Sequence, residues 1–208
     1  MTEINNFKLV YPLLEFNSDD EFYYLQILQR KKDNPDPSKR LGRNNNARTI
    51  SNYYIRSVSH LQGLEEEIIG LCKYFNARAS LRLNRRSFKD VAFRHLQKVA
   101  GIMANGEFNH VKTAYSKACG VGNSETCKRW IVDLDEEDMP NYLEIRNKIV
   151  SLHQEINDER SKSYKILAEI PSKTGLHLIT NPFRVDEFKK EFPSIEILKD
   201  NPTNIFIP

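Results

Sequence analysis

Trp130-Ile131-Val132-Asp133-Leu134-Asp135 is a compact apolar run that ends in acids, and it reads as a strand. Residues two apart on a strand share a face, so Asp133 and Asp135 project together while Val132 and Leu134 enter a core. Hard cations such as magnesium take carboxylate oxygens. Two carboxylates about 6 to 7 Å apart on one strand face can share one or two ions with substrate phosphates. Ions held this way stabilise both the attacking and the leaving oxygen in phosphoryl or nucleotidyl transfer. The acids running on to Asp138 also suit a helix N-terminus, since Pro140 fits the first turn of a helix expected to reach about Ile156.

Downstream, the segments YKILAEI, GLHLIT, IEIL and NIFI read as strands, with a short helix VDEFKKEF between the second and third. In Ser172-Lys173-Thr174-Gly175-Leu176-His177, the residues Lys173, Gly175 and His177 share parity. Glycine would let a phosphate approach the backbone, and lysine and histidine would donate to it. A histidine at the start of a strand also serves purely structural ends. Further on, Ile195 and Ile197 point one way and Glu196 the other, joined by Asp200 if the strand runs that far. Either acid could complete a three-carboxylate site, and a solvated edge strand would give the same pattern.

Upstream, ASLRLN alternates like a half-buried strand, and Ser87 can cap a helix reaching about Met103. Arg78, Arg82, Arg85 and Arg86 would lie near the sheet, as a grip on template or triphosphate or simply as exposed strand and turn residues. The piece from Gly106 to Lys128 carries no clear period. Near the N-terminus, FYYLQILQR follows Asp19 and Asp20 with apolar residues at helical spacing, which predicts a helix over about 20–31. Helices over about 49–60 and 64–75 follow a long basic loop, KKDNPDPSKRLGRNNNA. Between Arg30 and Arg48 there are seven basic residues against two acids, and Lys39, Arg40 and Arg43 in that loop are candidate nucleic-acid contacts. The whole order predicts an α/β or α+β fold: a mixed sheet with flanking helices over 77–208, preceded by an N-terminal helical segment over 1–76, in one unit.

A chain of 208 residues with 39% hydrophobic and 28% charged residues can bury one core and lies outside the disordered and membrane classes. No run approaches the roughly 18 apolar residues of a membrane span, and no export signal opens the chain. Three cysteines, Cys72, Cys119 and Cys127, make no disulfide framework, so a reducing, cytoplasmic setting is expected. Cys119, Cys127 and His110 lack a Cys-x-x-Cys knuckle, and zinc is not expected. The net charge of +3 alone does not argue for nucleic acid. Its distribution does, because basic segments flanking an acidic strand supply the opposite signs that phosphates and cations need.

An Asp-x-Asp strand, a hairpin strand carrying Lys-x-Gly-x-His and a later strand with a hydrophobic-acid pair occur here in an order that resembles the archaeo-eukaryotic primase and primase-polymerase superfamily. The resemblance covers roughly 78–208. It implies that Asp133 and Asp135, with Glu196 or Asp200, bind magnesium or manganese (Mg2+ or Mn2+), and that Ser172, Lys173, Gly175 and His177 contact the triphosphate, helped by Arg78 and Arg82. It also implies a metal-dependent nucleotidyltransferase working on nucleoside triphosphates and nucleic acid, a single-stranded DNA template above all, with Asp133, Asp135 and His177 catalytic. Arg85 and Arg86 would join Lys39, Arg40 and Arg43 on the nucleic acid. Because the sequence stops straight after its last strand, priming would draw on a helicase or other replication protein. A non-catalytic single-strand-binding protein and a metal-dependent nuclease or phosphodiesterase are the rival readings.

Overall fold

The segment Glu21–Arg30, for which helical spacing predicts a helix, is instead the longest strand among the described residues. The computed structural model describes residues 3–36, 46–121, 128–152 and 165–208. Over these residues the chain is mixed α and β, with two antiparallel sheets. The first runs in the order β1 (Ile4–Asn5), β10 (Pro202–Ile207), β4 (Arg78–Arg82), β2 (Glu21–Arg30) and β3 (Ala47–Ile55), with the short β5 (Arg86–Ser87) also on β2. The second runs β7 (Ile166–Pro171), β8 (Gly175–Thr180), β6 (Trp130–Asp135) and β9 (Glu196–Leu198).

The physical reason that β2 is not a helix lies in burial on both faces. Tyr23, Leu25 and Ile27 enter the main core, whereas Phe22 and Tyr24 enter a separate cluster with Val91, Ala118 and Cys119. A strand covered on both sides reads as a continuous apolar run, and such a run satisfies helical spacing too. Its aromatic and β-branched content is what fits the pleat. The adjacent prediction of a helix from Thr49 fails too, since that segment is β3, which pairs with β2 through Tyr24↔Tyr54 and Gln26↔Asn52. The helix α2 (Val58–Phe75) begins only after Ser57, whose hydroxyl accepts from the His60 N–H at 3.0 Å, and it runs unbroken through Gly63. It ends at Asn76, in the left-handed region at φ 45°. The N-terminal third is thus not a helical extension, and backbone hydrogen bonds join β2 to β4 across the expected boundary at 76/77.

Other expectations match the described residues. Ser87 caps α3 (Phe88–Ala104) by accepting from the Asp90 N–H at 3.0 Å. The unreadable stretch after Gly106 holds a 3-10 turn and α4 (Ala114–Gly120), after the single-turn α1 (Phe7–Val10) near the N-terminus. Pro140 lies in a 3-10 turn over Glu136–Asn141, and α5 (Tyr142–Ser151) starts just after it. Its expected extension to Ile156 lies outside the described residues. The last helix is α6 (Val185–Glu191). Among the described residues no helix is long and apolar enough to cross a membrane.

Two cores hold the second sheet in place. Val132, Leu134 and Leu178 pack with Ile145 and Ile149 of α5 and Phe188 of α6. Ile131, Ile170 and Ile179 instead join Leu25, Ile27, Ala79 and Leu81 of the first sheet and Leu61, Ile68 and Cys72 of α2. Asparagines pin the two sheets together where backbone would otherwise be left unpaired. Asn6 donates to the carbonyls of Pro171 at 2.8 Å and Asn204 at 2.9 Å. Asn84, 2% exposed, donates to the carbonyls of Arg129 and Lys199 at 3.1 and 3.2 Å and accepts from the Arg129 N–H at 2.7 Å. Replacing it strands those groups at a buried junction. Asn84→Ala is expected to lower stability by about 2–3 kcal/mol in urea titration with an unchanged slope; a loss below about 0.5 kcal/mol would show that the pin is dispensable.

Candidate functional site

Strand register decides which side chains meet. In the second sheet Asp133 lies opposite His177 of β8 on one side and Glu196 of β9 on the other. Directly opposed residues of antiparallel strands share a face, so all three project from the same side. The His177 ring is fixed at both nitrogens: Nε2 stands 3.3 Å from Asp133 Oδ1 and Nδ1 stands 2.8 Å from Thr203 Oγ1 on β10. His177 is 7% exposed and Thr203 fully buried. With an Nε2–H facing the carboxylate, the Thr203 hydroxyl donates to Nδ1; a protonated ring donates at both ends. This contact with His177 holds the Asp133 carboxyl below the usual carboxylate range, against the opposing effect of burial and with a smaller contribution from Lys32.

A cleft of about 290 Å³ opens where the sheets meet. Asp133, Asp135, His177, Ser172 and Lys173 line it from the second sheet. Arg30, Lys32, Asp33, Arg78 and Asn204 line it from the first. Four cations therefore face two strand carboxylates and Asp33 across one opening. Asp33 is the hinge of this charge pattern, accepting from Arg78 Nε at 2.7 Å and Lys173 Nζ at 2.8 Å. Burial would raise its carboxyl, yet the hydrogen bonds from Arg78 and Lys173 outweigh that and hold it below the usual value of 3.8. Asp135 has a second duty. It caps the 3-10 turn at Glu136–Asn141 in a capping box, in which Asp138 accepts from the Asp135 N–H at 3.0 Å. Asp135 thus both lines the cleft and caps the turn that follows its strand.

Asp133, Asp135, Ser172, Lys173, His177 and Arg78, all singled out in the sequence, converge in the cleft. The remaining candidates lie elsewhere. Glu196 shares the face of Asp133 but is exposed and does not line the cleft. Asp200 is occupied by Arg86 at 2.7 Å and Asn84 at 3.1 Å, with Arg82 at 3.9 Å, so its carboxylate neutralises a structural arginine cluster. Arg82 also donates to the Asp200 carbonyl. Arg86 is 1% exposed and donates to the Cys119 carbonyl at 3.0 Å, and Arg85 pairs with Glu21 at 3.0 Å. Neither is placed to hold a nucleic acid, because an arginine buried among protein acceptors presents no donors to a phosphate. Lys39, Arg40, Arg43 and Cys127 lie outside the described residues. His110, the other candidate for zinc, faces Glu107 at 3.3 Å.

Gly175 answers to a different constraint from phosphate access. A Cβ at that position would stand 1.9 Å from the Leu134 carbonyl oxygen, so the close pairing of β8 with β6 excludes any side chain. Asp33, Thr203 and Asn204 were not legible as site residues, and Arg30 and Lys32 entered only as part of the basic excess over 30–48. A further signal is the position of Lys32 and Asp33 at the end of an apolar run, where a strand delivers its last residues to a sheet edge.

Among the described residues no three His, Cys, Asp or Glu side chains gather into a ready metal cage. The donor set nonetheless fits magnesium or manganese, which bind through one or two carboxylates and complete their shell with water and substrate phosphate. Comparisons of the chain with protein-family models, with curated proteins and with solved structures find no match.

Two measurements check this geometry. Gly175→Ala is expected to part β8 from β6, lowering the thermal midpoint and collapsing the cleft; an unshifted midpoint would contradict the 1.9 Å approach. Asp33→Ala leaves the buried Arg78 without its counter-ion and is expected to cost roughly 3–5 kcal/mol at neutral pH. Because the folded Asp33 carboxyl lies below its unfolded value of 3.8, its contribution is present above that pH and fades as pH falls through the folded value. The variant should therefore lose part of the acid limb of the stability profile, and an unchanged limb would show Asp33 to be uncoupled from folding.

Proposed function

We propose that the cleft carries out metal-dependent nucleotidyl transfer on a nucleic-acid strand, in the manner implied by the resemblance to primase-polymerases. The observation that carries this reading is the meeting of Asp133, Asp135 and His177 with Lys173 and Arg78 in one opening. Asp133 and Asp135 are the residues that would hold magnesium or manganese, and the ions would supply Lewis-acid stabilisation of the reacting oxygens. Lys173 extends from the turn between β7 and β8 toward the same space, where its ammonium would meet triphosphate oxygens in place of Asp33. Arg78, buried and engaged by Asp33 through Nε and Nη2, would add positive potential to the cleft rather than a free donor. His177, aligned by Thr203, turns Nε2 toward Asp133 at the edge of the cleft, where it would serve as a hydrogen-bond donor to a phosphate oxygen. Such sites work chiefly by positioning and charge neutralisation, which matches the rigid placement of these groups between two sheets.

The mixture of four cations with the strand carboxylates favours a polyanionic substrate such as a nucleoside triphosphate over water attack alone. The three readings part in one assay, in which a labelled oligonucleotide is incubated with the protein, magnesium and nucleotides. Transfer lengthens the label, a nuclease shortens it, and a binding protein leaves it unchanged. Asp133→Asn with Asp135→Asn is expected to reduce lengthening by roughly a hundredfold or more while far-ultraviolet circular dichroism stays the same. Lengthening that survives both substitutions would refute the assignment.

A further inference from the structure

Beside the cleft, on the first sheet, lies a second depression of about 580 Å³ lined by Arg30, Lys31, Lys32, Pro35 and Asn46. Arg30 and Lys32 line both spaces, so the groove adjoins the cleft across these two side chains. Its shape follows from the end of β2. The chain leaves that strand at Arg30 and tightens into a 3-10 turn over Lys31–Asp33, and the Lys31 N–H donates to the Asn46 carbonyl at 2.9 Å, closing the base. Three consecutive cations are thereby presented on one short, braced piece of backbone.

Neighbouring Asp33 offsets only part of the charge of this piece. No salt bridge joins Arg30, Lys31 or Lys32 to an acid among the described residues, and the adjacent Asp33 is already shared between Arg78 and Lys173. Crowding by Arg30, then burial, pushes the Lys32 ammonium below its ordinary value, so added negative charge there would relieve repulsion. The aliphatic stems and Pro35 give the groove an apolar wall against which a sugar or base can lie.

We propose that the groove of Arg30, Lys31 and Lys32 binds the phosphate backbone of a single-stranded nucleic acid and leads that strand into the carboxylate cleft. Only the second half of this statement rests on the transfer reading above; binding in the groove stands on its own. The groove presents three successive cations beside the cleft, which suits a chain of phosphates rather than a single small anion. A double helix would need a broad basic face, whereas these cations occupy one turn of chain.

The test measures binding without chemistry. Fluorescence anisotropy of a labelled oligothymidylate is followed against salt in the presence of a chelator and without nucleotides. Each phosphate contact to a single strand adds about 0.7 to the steepness of log affinity against log salt, so Arg30→Gln with Lys31→Gln and Lys32→Gln should flatten the slope by about 2. Since Arg30 is half-buried, the pair Lys31→Gln and Lys32→Gln serves as a second variant confined to exposed residues, with an expected flattening of about 1.4. Lys89→Gln, Lys112→Gln and Lys117→Gln remove the same charge from exposed positions elsewhere and should leave the slope nearly intact. Equal flattening by both sets would overturn the site, as would a wild-type protein that ignores the oligonucleotide or that prefers phosphatidylserine vesicles to it. Repeating the titration with Asp133→Asn separates the two claims, because groove binding persists there even if no transfer activity is ever found.

Discussion

His177 sits between a threonine of one sheet and an aspartate of the other, and that bridge is possible only while the two sheets stay docked. Its Nδ1 meets Thr203 on β10 at 2.8 Å and its Nε2 meets Asp133 on β6 at 3.3 Å. A ring with both nitrogens engaged has no rotational freedom left, and a buried imidazole without partners would be costly. The apolar contact that carries the docking runs through Ile131, Ile170 and Ile179 against Leu25, Ile27, Ala79 and Leu81. Parity turns the same side of β6 and β8 from isoleucine to Asp133 and His177 within two residues, so core and site are adjoining parts of one surface.

Charge follows the same division. The second sheet contributes the carboxylates of Asp133 and Asp135, and the end of β2 with the start of β4 contributes Arg30, Lys32 and Arg78. Lys173 crosses from the second sheet to Asp33 beyond β2, tying the turn between β7 and β8 to the first sheet. A buried ion pair such as Arg78 with Asp33 is a weak source of net stability, but it fixes geometry, since losing either partner leaves a charge in a poorly solvated place. Asp200 does the equivalent job for Arg86 and Arg82 at another point of the sheet junction. Two acids that looked alike in sequence, Asp200 and Asp133, thus differ in function because one meets arginines from inside the fold and the other faces an opening.

Much of the site was legible because strand parity is short-ranged: Asp133 with Asp135, and Lys173 with His177, are fixed by neighbours two or four positions away. The groups from the first sheet were not. Asp33 reaches the cleft through pairing of β2 with β4, and Thr203 through pairing of β10 with β4, contacts between residues far apart in the chain. The N-terminal strands were misread for a physical reason as well, since FYYLQILQR is apolar on both sides and its period cannot separate a helix from a strand buried between two layers. Arg85 and Arg86 show the converse error. A run of arginines after a strand suggests a solvated basic patch, and only the closing of Asp200, Glu21 and the Cys119 carbonyl around them turns it into interior structure.

The central claim is that the Asp133 pair and His177 share one cation-binding opening. It can be tested without any assay of turnover by adding substoichiometric manganese to protein labelled at histidine carbons and recording ring resonances, because paramagnetic broadening falls very steeply with distance. His177 is expected to broaden first, ahead of His60, His95, His110 and His153, and Asp133→Asn with Asp135→Asn to abolish the effect. Broadening of any other histidine before His177, or equal broadening of all five, would contradict it.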